Sequence, residues 1–449
     1  MRSAHDLFTQ HLSAVQAAAE DALARSRAAG RPFAGIVLHA GSLRFFHRDD
    51  IELPFHPTPH FARFAPVPGP GHALLLEPGR APRLHLLAPR DYWCEPPARP
   101  PHPVWELLPR EEHESDEALR RAIGPRPGWA YVGPDVEWAR GLEIDAAACE
   151  PAALLAPLDW HRAFKTDWEA ECLREAARLA GRGHAAVRAG VREGKSERAL
   201  HAAYLEATGC LEHETPYGNI IAWDERGAVL HYQSKRASQP DPGRSFLIDA
   251  GAPAWGYASD VTRTYLRDGA PAAWREVVTR MHALQEELVQ RVAPGVSYID
   301  LHAAAERSIG QLLRDVGLLR VGVDEALERA LVRPFFPHGL GHHLGLQVHD
   351  VGGRQVTPEG ETLKAPERWP HLRTTRSLAE RHVVTIEPGL YLIPMLLEPH
   401  RQRGEAGIDW ALVESLLPCG GVRVEDDVLV SAGGRENLTR PHIPSTWDP

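Results

Sequence analysis

Hydrophobic positions follow a helical period at some points along the chain and condense into short apolar runs at others. Residues 3–29 repeat Ala, Leu and Val at helical spacing between charged residues until Gly30-Arg31-Pro32 stops the run, which predicts an amphipathic opening helix. The apolar runs Phe33–His39, Ala73–Leu76 and Arg83–Leu87 predict buried strands, followed by a helix over Glu111–Ile123 and a strand over Trp129–Val132. Leu53–Phe61 is too proline-dense for regular structure and reads as an ordered loop, and residues 89–110, around Asp91-Tyr92-Trp93-Cys94, are also proline-rich. Alternating strands and helices make this part a small α/β domain, and nothing in it has catalytic spacing.

The boundary is expected near Pro157–Lys165, giving domains 1–160 and 161–449. Asp167–Ala189 is strongly helical, with Thr166 or Asp167 placed to cap it, and Ser196 opens a second helix that Gly209 ends. Strands are expected at Asn219–Ala222, Ala228–His231 and Ser245–Ala250. Two more helices are expected at 271–292 and 298–316, separated by Pro294-Gly295. From Pro334 onward the pattern gives loops and strands: His382–Glu387, Leu390–Pro394, Gly421–Glu425 and Val428–Val430. Two helix pairs with many short strands favour α+β over a doubly wound sheet, and periodicity alone shows no internal repeat.

Composition narrows the classes. With 449 residues, 43 % apolar and 24 % charged, the chain is an ordinary globular protein with room for two or three cores. A net charge of −10 without a basic run argues against nucleic acid, and evenly spread Lys and Arg give no polybasic membrane patch. No apolar stretch approaches the roughly 20 residues of a membrane span, and residues 1–30 hold no secretory apolar region. Five scattered cysteines without a Cys-x-x-Cys pair fit a reducing compartment, by default the cytoplasm. Because the chain has 25 histidines, a single one means little; only spacing and company can promote it.

Company is what His338-Gly-Leu-Gly-His342-His343-Leu-Gly-Leu-Gln-Val-His349 supplies: four imidazoles and three glycines in a mostly apolar run. Its glycine spacing is not that of a dinucleotide site, but it lets the backbone approach a crowded centre. Of His342 and His343, strand alternation lets only one face inward, and the residues leave open which. Upstream, Asp249 and Asp260 flank a glycine-rich hairpin that can set both carboxylates side by side, where like charges need a cation between them. Downstream, Glu387 ends the apolar run Val383–Ile386, and Glu425 follows Arg423 on Gly421–Glu425. Alone, Glu425 reads as half of an exposed Arg–Glu pair, and of the two aspartates one reads as a turn cap and the other as solvated. Together, four acids and one imidazole are a hard-ligand site for two metals.

At these motifs the chain resembles the bacterial proline dipeptidases (prolidases), metallopeptidases related to aminopeptidase P and methionine aminopeptidase. The likeness extends to the Pro-Phe-His-Pro loop, Asp91-Tyr-Trp, Thr215-Pro-Tyr-Gly-Asn-Ile-Ile and Glu436-Asn-Leu-Thr-Arg, covering nearly the whole length. It implies a pita-bread catalytic domain of two related α+β halves behind the smaller α/β domain. It implies that Asp249 binds one metal, that Asp260 and Glu425 bridge both, and that His342 and Glu387 complete the other; His343 receives no role. His231, His338 and His349 match additional active-site histidines, Arg373 a carboxylate-holding arginine, Arg423 a residue steadying the acids, and Tyr217 an aromatic near the substrate.

The expected activity is hydrolysis of Xaa-Pro dipeptides by a water that two divalent ions activate. Glu387 would shuttle the proton, and His231 or His349 would help stabilise the oxyanion. Four carboxylates balance two dications, and oxygen donors with one nitrogen suit Mn²⁺, with Co²⁺, Zn²⁺ or Fe²⁺ as alternatives. Organophosphorus triester hydrolysis and aminopeptidase P-like cleavage of longer peptides are the rival activities; a metal-free relative such as creatinase generally lacks the ligand set. The resemblance also suggests a homodimer in which one N-terminal domain lies near the neighbour's active site.

Overall fold

The computed structural model describes residues 2–93, 95, 99–239 and 243–443, so Cys94 of the Asp91–Cys94 motif falls outside it. Two compact units emerge, one of Met1–Glu169 with Gln355–Thr362, the other of Ala170–Arg354 with Leu363–Pro449.

In the first unit the opening helix spans Ala4–Ala28. Ser3 caps it, accepting from the Asp6 backbone N–H while the Asp6 carboxylate accepts from that of Ser3. The strands β1 (Ile36–His39), β2 (Ala73–Leu76), β3 (Arg83–Leu87), β4 (Arg110–His113) and β5 (Ala130–Val132) form one mixed sheet in the order β4-β3-β2-β1-β5. Sequence pattern placed a helix across Glu111–Ile123; instead Arg110–His113 is a strand and the helix is Asp116–Ile123, capped by Ser115. The charged, alternating Arg-Glu-Glu-His has no apolar face for periodicity to register, because it is an edge strand. The proline-dense Leu53–Phe61 segment is loop only in part, since helix Pro59–Phe64 begins within it with Pro59 at its first turn.

The second unit repeats one plan. Helices Asp167–Arg192 and Glu197–Thr208 precede strands β6 (Ile220–Trp223), β7 (Ser245–Asp249), β8 (Pro253–Ala254), β9 (Tyr257–Ala258) and β10 (Thr262–Leu266). Helices Ala272–Gln290 and Tyr298–Asp315 precede β11 (Val383–Ile386), β12 (Gly389–Tyr391), β13 (Gly421–Arg423), β14 (Asp426–Ser431) and β15 (Gly434–Asn437). Each helix pair is thus followed by a three-stranded antiparallel sheet, β10-β7-β6 in the first half and β11-β14-β15 in the second. This duplicated α+β arrangement is the pita-bread domain; the repeat lies in the order of elements, where residue periodicity does not reach. Thr166 is the helix cap, its hydroxyl accepting from the Glu169 N–H while Glu169 accepts from that of Thr166.

Two expectations for this unit are corrected. Ala228–His231 is no strand: a 3₁₀ turn over Asp224–Ala228 ends there and leaves His231 exposed. The region after Pro334 also contains helices Pro394–Gln402 and Trp410–Leu416, too short for their apolar period to stand out. Among the described residues no helix is long and apolar enough to cross a membrane.

The halves are joined where β10 meets the segment around β13. Thr264 and Arg423 exchange bonds (Thr264 hydroxyl to the Arg423 carbonyl, 3.0 Å; Arg423 N–H to the Thr264 hydroxyl, 3.1 Å), and the Glu425 N–H donates to the Thr262 carbonyl at 3.1 Å. Arg263, fully buried, donates to the Asp426 carboxylate and the Glu425 carbonyl, both at 2.7 Å, and Arg440 donates to the other Asp426 oxygen. Burial would raise the Asp426 carboxyl, but Arg263 and Arg440 outweigh it and hold it well below the usual range. Asp426→Asn strands a buried guanidinium, so it should cost about 3–5 kcal/mol of stability, read from the urea midpoint.

Candidate metal centre

The acids reach one point because four chain segments end or turn there. Asp249 is the last residue of β7, paired across the sheet with Thr262. The chain returns through the β8–β9 hairpin so closely that a side chain at Gly251 would collide with the Ser259 carbonyl, and this brings Asp260 back beside Asp249. Glu387 follows β11 and Glu425 follows β13. His342 lies in an extended segment clamped to β11, exchanging backbone bonds with Thr385: the Thr385 N–H donates to the His342 carbonyl (2.9 Å) and the His342 N–H to the Thr385 hydroxyl (3.1 Å). The Tyr298 hydroxyl donates to the Thr385 carbonyl, and Gly341 packs so tightly that an added Cβ would collide with both.

His342 points inward, its Nε2 3.4 Å from Asp260 Oδ2 and 3.7 Å from Glu387 Oε1. His343 turns away, its ring 4.7 Å from that of His382, as alternation requires. Donor atoms of Asp260, His342 and Glu425 all lie within 4.8 Å of one another, and all three residues are buried. Asp249 and Glu387 join them on the wall of a cavity of about 440 Å³, together with His231, His338, His349, Arg373 and Arg423. Tyr217 is half-buried, with its buried hydroxyl close to Asp249 and Asp260.

Glu425 is not half of an exposed ion pair. Both it and Arg423 are buried, and Arg423 donates to Asp249 Oδ2 (2.6 Å), the Tyr391 hydroxyl (2.8 Å) and the Thr262 hydroxyl (3.1 Å). Thr262 in turn donates to Glu425 at 2.7 Å. Since the Tyr391 oxygen accepts from Arg423, its own proton goes to His338 Nε2 (2.9 Å), and His338 Nδ1–H donates to the Gly339 carbonyl (2.7 Å). The network therefore fixes one neutral tautomer of His338, whose pKa burial and Arg423 lower to about 3.

Electrostatics test whether the group fits a metal. Burial pushes the Glu387 carboxyl up to about 7, against the pull of His342 and Arg423. Burial, reinforced by Asp260, Glu387 and Asp249, drives Glu425 well above its usual range; burial raises Asp249 too, although Arg423 opposes it. Only Asp260 falls, its burial outweighed by contact with His342. Asp249 Oδ1 has no hydrogen-bond partner among the described residues. Asp249, Asp260, Glu425 and half-buried Glu387 share a wall on which Arg423 is the guanidinium that bonds one of them; this donor set is short of positive charge, and divalent cations are what fits it.

The profile of metallopeptidase family M24 matches residues 171–432, and that of the Xaa-Pro dipeptidase N-terminal domain matches residues 6–160. The chain belongs to the Xaa-Pro dipeptidases of family M24. It is 40 % identical to the Xaa-Pro dipeptidase of Aeromonas hydrophila, covering 98 % of this chain and 99 % of the relative. It is 39 % identical to that of Shewanella amazonensis over 98 % and 99 % of the two chains, and 40 % identical to that of Xanthomonas oryzae over 98 % of each. Among solved structures, aminopeptidase PepP of Pseudomonas aeruginosa superposes with a TM-score of 0.73 at 23 % identity, covering 99 % of this chain and 97 % of that one. Aminopeptidase P of E. coli with the inhibitor Pro-Leu gives 0.72 at 22 %, over 99 % and 96 %. These two carry the fold.

In this M24 centre several working residues carry no sequence signal of their own. Thr262 and Tyr391, which hold Glu425, Arg423 and His338, look like ordinary strand residues. Their one clue is position, each within four residues of a predicted ligand. Asp427 is a further buried acid, accepting from the Asp260 N–H at 3.1 Å and raised well above its usual range by burial and then by Asp260. His371 lines the cavity two residues from Arg373. Gly341→Ala should displace His342 and lower divalent-metal affinity at least about tenfold, measured by titration calorimetry on folded protein.

Proposed function

We propose that this chain hydrolyses Xaa-Pro dipeptides to a free amino acid and proline. What supports the reading most is the convergence of Asp249, Asp260, His342, Glu387 and Glu425 on one cavity wall that also bears Arg373, in a chain so close to proteins named Xaa-Pro dipeptidase. Residues 1–160 are assigned to the N-terminal domain and 161–449 to the catalytic one.

Asp249, Asp260, His342, Glu387 and Glu425 would hold two divalent ions. Bound there, the pair supplies an acidified water and Lewis-acid polarisation. Mn²⁺ suits oxygen donors with one imidazole. The chain's own groups do the remainder. Glu387 takes the water's proton and passes it to the proline nitrogen. Protonation matters because the leaving group comes from a tertiary amide. His349, kept neutral by burial and then by His342 at a pKa of about 4, and His231 on the same cavity present imidazoles to the developing oxyanion. Arg373 pairs with the free carboxylate of the dipeptide, a contact that longer peptides lack. Arg423 anchors Asp249 and, through Thr262, orients Glu425. Tyr217 and His338 border the substrate. The enzyme is assigned to the cytoplasm and to a homodimer, on the scattered thiols and the family resemblance.

EDTA should abolish hydrolysis of Ala-Pro, Leu-Pro and Gly-Pro and Mn²⁺ should restore it, with Ala-Ala and Ala-Pro-Ala poor substrates. Undiminished turnover after exhaustive chelation would refute the assignment. Arg373→Ala should raise KM for dipeptides about tenfold or more, the loss of one charge-assisted hydrogen bond. The matching Xaa-Pro amides should be unaffected; equal effects on both would contradict the role.

A further inference from the structure

In the N-terminal unit, β3 and β4 run parallel with His85 paired to Glu111 and Leu87 to His113. Alternation along each strand puts His85, Glu111 and His113 on one face of the sheet. His85 Nδ1 lies 3.1 Å from His113 Nε2, with the rings stacked at 5.3 Å, and a donor atom from each of the three residues lies within 4.8 Å of the others. We propose that His85, Glu111 and His113 form a binding site for a divalent transition cation of the Zn²⁺ type, separate from the M24 centre.

Two nitrogens bound to one tetrahedral Zn²⁺ stand about 3.3 Å apart, given Zn–N distances near 2.05 Å, so the imidazoles already hold close to the required separation. Two histidines and one glutamate are a donor set that Zn²⁺ accepts with a fourth position left for water, and exposed Glu111 beside half-buried His113 opens that position to solvent. The other His85 nitrogen, Nε2, is buried and has no hydrogen-bond partner among the described residues. Nothing else therefore commits the proton to Nδ1, and it can move to Nε2 when Nδ1 ligates. Burial lowers the His85 pKa to about 4 against the pull of Glu111, so the imidazole stays neutral and available. Arg83 and Arg126 lie near enough to oppose a cation, which Glu111 offsets. In the metal-free protein the same pair is an N–H···N hydrogen bond.

The test counts Zn²⁺ per chain by equilibrium dialysis of the full-length protein at low micromolar free Zn²⁺. Wild type should bind one more ion than His113→Ala, a change at the sheet edge. Glu111→Gln, which keeps the side chain's shape, should weaken that extra site at least about tenfold. Both variants should retain Mn²⁺-supported Ala-Pro hydrolysis within twofold. Because the readout is a difference between proteins, it does not depend on how many ions the M24 centre takes. Equal Zn²⁺ stoichiometry in wild type and His113→Ala would overturn the proposal and leave a hydrogen-bonded histidine pair only.

Discussion

Mutual repulsion among buried acids governs the catalytic unit. Asp249, Asp260, Glu387 and Glu425 face one cavity, and Asp427 stands directly behind Asp260. Like charges at such range in a poorly solvated site cannot all ionise without positive charge between them. Arg423 provides part of it, and its three donors go to Asp249, Tyr391 and Thr262. Without a metal, Asp260 and Glu387 also draw His342 above its ordinary pKa in spite of its burial, a proton that His342 gives up to ligate. The remaining deficit is what makes this a metal centre, since apolar packing would have filled the same space at lower electrostatic cost.

The fold is arranged to hold that deficit still. The two halves, each built on a helix pair and a three-stranded sheet, meet along β10 and the segment around β13. The ion pair of Arg263 with Asp426 sits one residue from Glu425 and three from Asp260. Gly251 and Gly341 allow backbone to pass where any side chain would collide, and so bring the hairpin and the His342 segment within reach of the acids. Stability and site geometry consequently share residues: Thr262 is a β10 strand residue, the Glu425 partner and the Arg423 acceptor at once.

Much of this was readable beforehand, and the failures have physical causes. Apolar runs marked β2 and β3 to the residue, and the four principal helices of the catalytic unit to within a few positions, because each buries a continuous face. Arg110–His113 was misread because an edge strand can be wholly charged, and helices Pro394–Gln402 and Trp410–Leu416 because a helix of two or three turns shows too few periodic positions. In the site, acids ending apolar runs were conspicuous because burying a carboxylate costs so much. Thr262 and Tyr391 were invisible because a hydroxyl on a strand is cheap wherever it falls. Arg423 was half visible: its spacing to Glu425 suggested a mutual pair, whereas its guanidinium bonds Asp249, from the other half of the domain.

That cross-half bond bears on how the site assembles. Asp249 and Asp260 come from the first half, Glu387 and Glu425 from the second, and His342 from the segment that precedes β11. The five proposed donors are divided between the halves, so a site for two dications requires the halves to be docked. Arg423 bonds Asp249 and sits on the strand leading to Glu425, and it supplies one positive charge before any metal arrives. A guanidinium fits the task better than an ammonium, because its planar fork can bond an acid, a phenol and a hydroxyl at fixed angles together. It is always charged, so the docking contact persists at any pH at which Asp249 is ionised. Docking first and loading second is the order that this arrangement favours.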